Sequence, residues 1–107
     1  MKLRVEQTYH EDIGPVGPDG RRLFSYSYFL VGFSFDNAER LVARTYVDTP
    51  SEVHFLRLEG KLARGPIAVA DFSRPLFVEA IEYLRNSGRN SITWLSFEAE
   101  AYIPVPG

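Results

Sequence analysis

The chain has 107 residues, of which 45% are hydrophobic, 14% aromatic and 24% charged, and it contains no cysteine. This length and composition predict one folded domain, 1–107, with a single core, and they exclude a disulfide framework, a cysteine nucleophile and a thiolate metal site. The formal net charge of −2 argues against nucleic-acid binding, which usually needs a basic face.

Two strands and a loop are predicted in the first third of the chain. Residues 2–10 alternate between two faces, one of them polar, which is typical of a half-buried antiparallel strand. The glycines and prolines of 14–20 predict a loop, because proline lacks a backbone donor and glycine permits positive φ. A second strand is predicted over 21–35, and its apolar second half, 29–33, requires cover on both faces of the sheet.

Two shorter strands are predicted next. Turn-forming residues at 36–38 and 48–51 flank a third strand over 41–47, and a fourth strand follows over 53–58. Because the connecting turns are short, these strands are expected to pair with their sequence neighbours as a meander. The segment 60–73 fits a strand, a helical turn or an apolar loop equally well.

A helix over 75–87 has the clearest signal in the sequence. Apolar side chains recur with helical spacing at Phe77, Ala80, Ile81 and Leu84. Pro75 suits the first turn, where its missing N–H is harmless, and Ser73 or Asp71 is expected to cap the helix. Gly88 is expected to end it in the left-handed conformation.

The last segment is predicted to be one strand, ended by Pro104 and Pro106, because its side chains alternate over 94–103. The expected core face consists of Leu95, Phe97, Ala99, Ala101 and Ile103. The expected outer face consists of Trp94, Ser96, Glu98, Glu100 and Tyr102. The element order β-β-β-β-α-β predicts an α+β fold, with an antiparallel meander sheet of about five strands and one helix packed on one face.

The outer face of this sheet predicts a binding function. One helix, ~10 Å wide, covers two or three strands spaced ~4.8 Å apart, so aromatic side chains remain uncovered on the other face. Tyrosine and tryptophan suit a surface that is covered only part of the time. We therefore expect a non-catalytic protein-binding module, which binds either itself as a homodimer or a partner protein in the manner of an inhibitor or immunity-type protein. Ordinary cross-strand aromatic pairing is the alternative interpretation. The expected partner-binding residues are Tyr26, Tyr28, Tyr46, Trp94, Tyr102, Arg44, Arg57, Glu98 and Glu100.

Polar clusters offer a second hypothesis for the function. Glu98 and Glu100 project from the same side of the predicted strand, ~6.5–7 Å apart, a spacing that suits paired catalytic carboxylates. With His10 they would serve a small-molecule-binding protein or minor enzyme with a pocket between helix and sheet. His10, Glu11 and Asp12 group potential metal ligands, but no further ligand follows at a zinc-site spacing, so we expect no metal. Solvated charged side chains are the simpler explanation of both clusters.

The sequence gives no sign of a membrane segment or a targeting signal. The longest apolar stretch, 28–35, is interrupted by Gly32 and Ser34 and is far shorter than the ~20 residues that span a bilayer. The N-terminal sequence MKLRVEQTYHED lacks the apolar core of a signal peptide. We therefore expect a cytoplasmic protein without a cofactor, whose partner is a protein and neither nucleic acid nor membrane.

Overall fold

One mixed β-sheet with a helix on one side makes up the described part of the protein. The computed structural model describes residues 2–35, 39–60 and 64–106. In chain order, its elements are β1 (Arg4–Ile13), β2 (Ser25–Ser34), β3 (Glu39–Tyr46), β4 (Glu52–Gly60), β5 (Arg64–Gly65), α1 (Pro75–Asn86), β6 (Ser91–Ser96) and β7 (Ala101–Pro104). A 3₁₀ helix, Val69–Ser73, precedes α1. The segment 60–73, whose sequence is compatible with a strand, a helical turn or a loop, thus contains β5 and this short helix. The turn predicted at 36–38 lies outside the described residues.

The sheet has six main strands in the order β1-β2-β3-β4-β6-β7, and the two-residue β5 pairs with β4. The first four strands pair with their sequence neighbours and are antiparallel, as their short connections predict. β6 instead pairs parallel to β4, with Glu52 opposite Ser91. The connection that contains α1 returns the chain to the same end of the sheet, which parallel pairing requires. The predicted α+β class is confirmed, whereas the purely antiparallel meander of about five strands is wrong.

The predicted last strand is in fact two strands, β6 and β7, joined by a tight turn. Ser96 and Ala101 are opposite each other in the antiparallel pair, and the turn lies between them. The Ser96 hydroxyl accepts a hydrogen bond from the Ala99 N–H at 3.1 Å, and Glu100 has a positive φ of 53°. Because the turn contains neither glycine nor proline, it leaves no strong local signal. Glu98 and Glu100 therefore lie in a turn and do not project from one strand face.

The β1–β2 hairpin continues beyond the sheet as an ordered arm, residues 14–24. Within this hairpin arm, Val16 forms a further bridge with Arg22. Gly20, with a φ of +79°, lies at the tip, where the chain reverses. The predicted loop is thus largely a two-stranded ribbon, and β2 begins later than predicted because 21–24 belong to the arm. The arm makes the molecule elongated, with a longest dimension of 52 Å against 29 and 27 Å in the other directions.

α1 confirms the predicted helix to within one residue at its C-terminal end. Gly88 has a φ of +84°, and the N–H of the next residue donates to the Leu84 carbonyl at 3.0 Å, which closes the helix with a Schellman motif. The predicted N-terminal cap is wrong, because Arg74 occupies the N-cap position and its side chain makes no capping hydrogen bond. Asp71 and Ser73 instead form hydrogen bonds to backbone groups of the preceding 3₁₀ segment.

α1 packs on one face of the sheet and encloses the core with it. The largest fully buried side chains include Phe33, Phe55, Phe77, Leu41, Leu84 and Val53. Trp94 belongs to this core, because its side chain is only 5% exposed and its ring centroid lies 5.2 Å from that of Phe72. The prediction that Trp94 lies on the outer face is therefore wrong. The β6–β7 turn shifts the alternation by one residue, so that Trp94 in β6 and Ile103 in β7 face the same side.

Candidate functional site

The sheet face opposite α1 carries the candidate site, and we call it the open face. Alternation along each strand sends every second side chain to this face. On β2 and β3, the opposed residues Tyr28 and Tyr46 lie on the open face, whereas the opposed Val31 and Ala43 belong to the core. Five rings, one each from β1, β2, β3, β4 and β7, form a row across the open face. This ring row consists of His10, Tyr28, Tyr46, His54 and Tyr102.

Neighbouring rings in the ring row contact each other along its whole length. The His10 and Tyr28 rings stack, with centroids 5.5 Å apart and an interplanar angle of 17°. The Tyr28 and Tyr46 centroids lie 6.2 Å apart. His54 lies 6.2 Å from Tyr46 and 5.1 Å from Tyr102, again between centroids. Aromatic pairs at such distances contribute about 0.5–1.5 kcal/mol each beyond simple burial. The row is therefore a preorganised surface that needs little ordering when a partner binds.

Arg44 connects the middle of the ring row to its end on β7. Its guanidinium carbon lies 5.0 Å from the Tyr46 ring centroid and 6.0 Å from that of Tyr28. Its Nη2 donates a hydrogen bond to the Tyr102 hydroxyl at 3.0 Å. Cation–π contacts of this kind contribute about 0.5–1 kcal/mol at exposed sites. Arg44 thus links tyrosines from three strands and fixes their relative positions.

His54 is held uncharged near the centre of the sheet. Its Nδ1 lies 2.7 Å from Oγ1 of Thr93, a hydrogen bond to the neighbouring strand β6. Burial, and then the positive charge of Arg44, lower the pKa of His54 below its ordinary value. The imidazole is therefore neutral at neutral pH. It offers a partner hydrogen-bonding capacity without adding a net charge.

The end of the open face beside the hairpin arm is more exposed. Tyr26 is 52% exposed, and its ring contacts those of Phe24 and Tyr46, with centroids 5.6 and 6.0 Å away. Next to it, burial raises the pKa of Tyr28, and a hydrogen bond to Asp12 and the charge of that carboxylate raise it further. Tyr28 therefore keeps its hydroxyl proton under physiological conditions. This end of the face presents neutral rings with hydroxyl groups.

A shallow pocket lies on the open face beside the β3–β4 turn. It has a volume of about 350 Å³, and its lining includes Tyr26, Tyr46, Glu52 and His54. A second pocket, of about 370 Å³, lies on the other side of the molecule, between α1 and Pro106. The first pocket includes Tyr26 of the open face and two members of the ring row, Tyr46 and His54, so any ligand it held would compete with a partner on the open face.

The predicted pocket built from His10, Glu98 and Glu100 does not form. His10 lies on β1 and the two glutamates precede β7, and these strands are the opposite edges of the sheet. Five strand spacings of about 4.8 Å separate the edges by about 24 Å, too far for these side chains to act on one ligand. His10 instead pairs with Thr8, with 2.8 Å between Nε2 and Oγ1. Over the described ranges, no three His, Asp or Glu side chains are grouped so that they could hold a metal ion.

The structure brings together some of the residues predicted to bind a partner and separates the others. Those that meet on the open face are Tyr26, Tyr28, Arg44, Tyr46 and Tyr102. Trp94 is buried in the core, and Glu98 and Glu100 occupy the β6–β7 turn. Arg57, opposite Val42, is also on the open-face side of β4, but its Nε donates to Glu59 of the same strand at 2.9 Å.

The prediction did not include His10 and His54 among the partner-binding residues. His54 alternates with the buried Val53 and Phe55, which is a recognisable signal for the face opposite the core. The place of His10 beside Tyr28 depends on the β1–β2 register, which no single segment reveals. The predicted surface was based on tyrosine and tryptophan rings and left out the imidazole rings of both histidines.

Compared with models of protein families, with curated proteins and with solved structures, the chain matches none of them. None of the helices in the described ranges is long and apolar enough to cross a membrane. The geometry of the open face is therefore the basis on which a function can be inferred.

Proposed function

We propose that the protein is a small, non-catalytic protein-binding module and that the open face is its binding surface. The observation that carries this proposal is the ring row, a continuous series of five rings on the sheet face that α1 leaves uncovered. At the two ends of the surface, Tyr26 and Tyr102 are 52% and 41% exposed. Tyrosine is enriched in interfaces because its ring is apolar and its hydroxyl group finds a polar partner.

The size and charge of the open face suit a protein partner. The ring row extends from one edge strand to the other, about 24 Å at about 4.8 Å per strand spacing, which is the scale of an interface that buries about 800 Å² per partner. Arg44, Asp12 and Glu52 give this surface charges of both signs. A nucleic acid would require a predominantly basic face. Arginine and tyrosine are also among the residues that contribute most to the free energy of protein association.

The preorganised surface favours a foreign protein as the partner, bound in the manner of an inhibitor or immunity-type protein. Inhibitor complexes generally form with little backbone movement, and side chains already fixed by mutual contacts lose little entropy on binding. The hydrogen bonds from Arg44 to Tyr102 and between His54 and Thr93 hold much of the ring row in place before a partner binds. We further place the protein in the reducing cytoplasm, which suits its cysteine-free sequence.

Binding of a small molecule is the second candidate function, and the shallow pocket beside the β3–β4 turn favours it. Tyr46, Glu52 and His54 line this pocket and offer a ring face, a carboxylate and an imidazole. Its volume of about 350 Å³ is near the lower limit for ligand sites. Such sites usually bury most of the ligand, which a shallow pocket does not do. The protein-binding function is therefore the better supported of the two.

Site-specific photo-cross-linking in the native host tests the protein-binding proposal. A photoreactive amino acid is introduced at Tyr26 or, as a control, at Phe97, which is 61% exposed but lies in the β6–β7 turn. We expect a covalent adduct of defined mass from position 26 and no such adduct from position 97. Tyr46→Ala and Tyr102→Ala are expected to abolish the adduct while the far-ultraviolet circular dichroism spectrum stays unchanged.

Two results would contradict the proposal. An adduct that forms equally at Phe97, or that survives both alanine substitutions, would show that partners do not use the open face.

Native mass spectrometry addresses the second candidate function, because a small molecule that co-purifies with the wild type and is lost in Glu52→Gln would favour the pocket. The two candidates are thus separated by the class of molecule recovered.

A further inference from the structure

The two edges of the sheet are protected very differently. β7, at one edge, has four residues and ends at Pro104, with Pro106 two residues further on. β1, at the other edge, has ten residues, contains no proline and pairs with β2 over ten successive positions without a bulge. Because an edge strand presents unpaired backbone groups, proteins usually shorten, bulge or interrupt such strands. β7 follows this rule and β1 does not, which leaves β1 able to accept a further strand.

Every second residue of β1 directs its backbone N–H and C=O groups away from β2. In an antiparallel pair, hydrogen-bonded and non-hydrogen-bonded positions alternate. The Gly14 N–H donates to the Phe24 carbonyl at 2.8 Å, so position 14 and, by alternation, the even positions of β1 bond to β2. The odd positions, from Val5 to Ile13, therefore present their backbone groups at the edge. A further antiparallel strand of the same sequence must pair odd positions with odd positions.

The charges of β1 are ordered so that the strand is complementary to itself. When two β1 strands pair antiparallel about Thr8, Arg4 of each copy lies opposite Asp12 of the other, and Glu6 lies opposite His10. These side chains occupy even positions and share the open-face side of the strand. The adjacent registers that obey the odd-to-odd rule place Arg4 opposite His10 or Glu6 opposite Asp12. Opposite charges across a strand pair are stabilising and like charges are destabilising. Within β1, only the register centred on Thr8 places Arg4 opposite Asp12, so this register is favoured.

We propose that the protein forms a homodimer in which the β1 edges of two copies pair antiparallel about Thr8. Within β1, this register provides about eight backbone hydrogen bonds between the copies. It joins the two sheets into one continuous sheet with six main strands from each copy. Because odd positions meet odd positions, both helices lie on one side and both open faces on the other. The dimer uses the strand edge and does not depend on the partner-binding role of the open face.

Exposed apolar side chains are concentrated beside this edge. Among the described residues, six of the twelve exposed large apolar side chains lie between Tyr9 and Tyr26, on β1, the hairpin arm and the start of β2. With about half of a side-chain area of 150–250 Å² exposed, they present roughly 500 Å² per copy, a large part of a standard interface. In the register centred on Thr8, Ile13 lies opposite Leu3 of the second copy. The hairpin arm then extends past the N-terminal end of that copy's edge strand.

Light scattering combined with reciprocal charge reversal tests the dimer. The wild-type mass is expected to rise from 12.2 kDa towards twice that value between about 1 μM and about 1 mM. Arg4→Asp and Asp12→Arg each convert two pairs of opposite charges into pairs of like charge, so each is expected to weaken the dimer roughly tenfold. An equimolar mixture of the two variants is expected to restore the dimer, because each supplies the charge that the other lacks.

Backbone pairing is tested independently of charge. The Gln7 N–H is directed away from β2, so Gln7→Pro is expected to remove an edge donor and to give a folded monomer. In the wild type, hydrogen exchange of the Val5, Gln7 and Tyr9 amides is expected to slow only at concentrations where the dimer forms. The Thr8 amide, which bonds to β2, is expected to be protected at every concentration.

Two control variants separate this proposal from that for the open face. Glu98→Arg changes a charge in the β6–β7 turn, Tyr46→Ala changes the ring row, and both are expected to remain dimeric. A wild-type mass that stays at 12.2 kDa throughout overturns the proposal. A dimer that Gln7→Pro and the charge variants do not weaken overturns it too. A dimer that is lost in Tyr46→Ala but kept in Gln7→Pro would locate self-association on the open face and exclude the β1 edge.

Discussion

Trp94→Ala is expected to destabilise the fold and not to remove a binding contact. The Trp94 side chain is 5% exposed, and its ring packs against Phe72 with centroids 5.2 Å apart. A large aromatic side chain buries 150–250 Å², which at about 25 cal/mol per Å² corresponds to about 4–6 kcal/mol. Truncation to alanine is therefore expected to lower the free energy of unfolding by about 3–5 kcal/mol. This is a large share of the about 5–15 kcal/mol that stabilises a typical domain.

Urea unfolding followed by far-ultraviolet circular dichroism measures this loss. Fluorescence is unsuitable because Trp94 is the only tryptophan in the chain. Trp94→Phe provides a graded control, because it keeps a ring and removes an indole N–H that has no hydrogen-bond partner among the described residues. Its expected loss is smaller, about 1–2 kcal/mol. Tyr102→Ala removes the ring contact with His54 and the hydrogen bond from Arg44, and at its partly exposed position is expected to cost about 1–2 kcal/mol, less than Trp94→Ala.

A particular combination of results would refute this reasoning. If Trp94→Ala unfolded at the wild-type urea midpoint but no longer formed the photo-cross-linked adduct, Trp94 would belong to the binding surface. If Trp94→Phe lost as much stability as Trp94→Ala, the claim that ring packing against Phe72 stabilises the fold would also be refuted. Tyr102→Ala provides the comparison, because it is expected to lose the adduct while losing clearly less stability than Trp94→Ala.

Three further predictions concern charge, pH and the helix C-terminus. Arg44→Gln removes a positive charge that lowers the pKa of His54, so that pKa is expected to rise in an NMR titration, and an unchanged value would contradict the proposed coupling. The pKa of His54 is lower in the folded state than its value of about 6.5 in the unfolded chain. At pH values between these two pKa values, His54 therefore binds more protons in the unfolded chain than in the folded protein. The free energy of unfolding is therefore expected to fall as the pH decreases through this interval, and urea titrations of His54→Gln should show a weaker dependence. Gly88→Ala places a residue with a Cβ at a backbone φ of +84° and is expected to lower the free energy of unfolding by about 1 kcal/mol, measured by thermal unfolding. A variant as stable as the wild type, or more stable, would show that the helix does not need glycine there.

The helix and the first strands can be predicted from the sequence because their signals are local. Apolar spacing determines α1, and Gly88 marks its end. Alternation with a period of two identifies β1 in the same way, and the turn-forming residues at 48–51 mark the end of β3. The β6–β7 turn has no such signal, because it relies on the Ser96 hydroxyl and on a positive φ at Glu100. Alternation followed across that turn assigned Trp94 to the wrong face.

The members of the open face can be predicted one at a time, but their arrangement cannot. Alternation is sufficient to indicate that Tyr28 and Tyr46 share a face, and a short hairpin makes their proximity plausible. The contact between His54 and Tyr102 arises differently. It requires β6 to pair parallel with β4 and β7 to fold back on β6, and these are long-range relations that no local pattern encodes.

The position of β6 beside β4 has a consequence for the order in which the protein can fold during synthesis. β1 to β4 pair with their neighbours in sequence, whereas β6 reaches β4 across roughly 40 positions, from Glu52 to Ser91. When the first four strands leave the ribosome, the side chains that α1 later covers, including Phe33 and Phe55, are still bare. The nascent chain therefore passes through a stage with an uncovered apolar sheet that chaperones recognise. That stage ends when α1, β6 and β7, which together span 75–104, join the sheet.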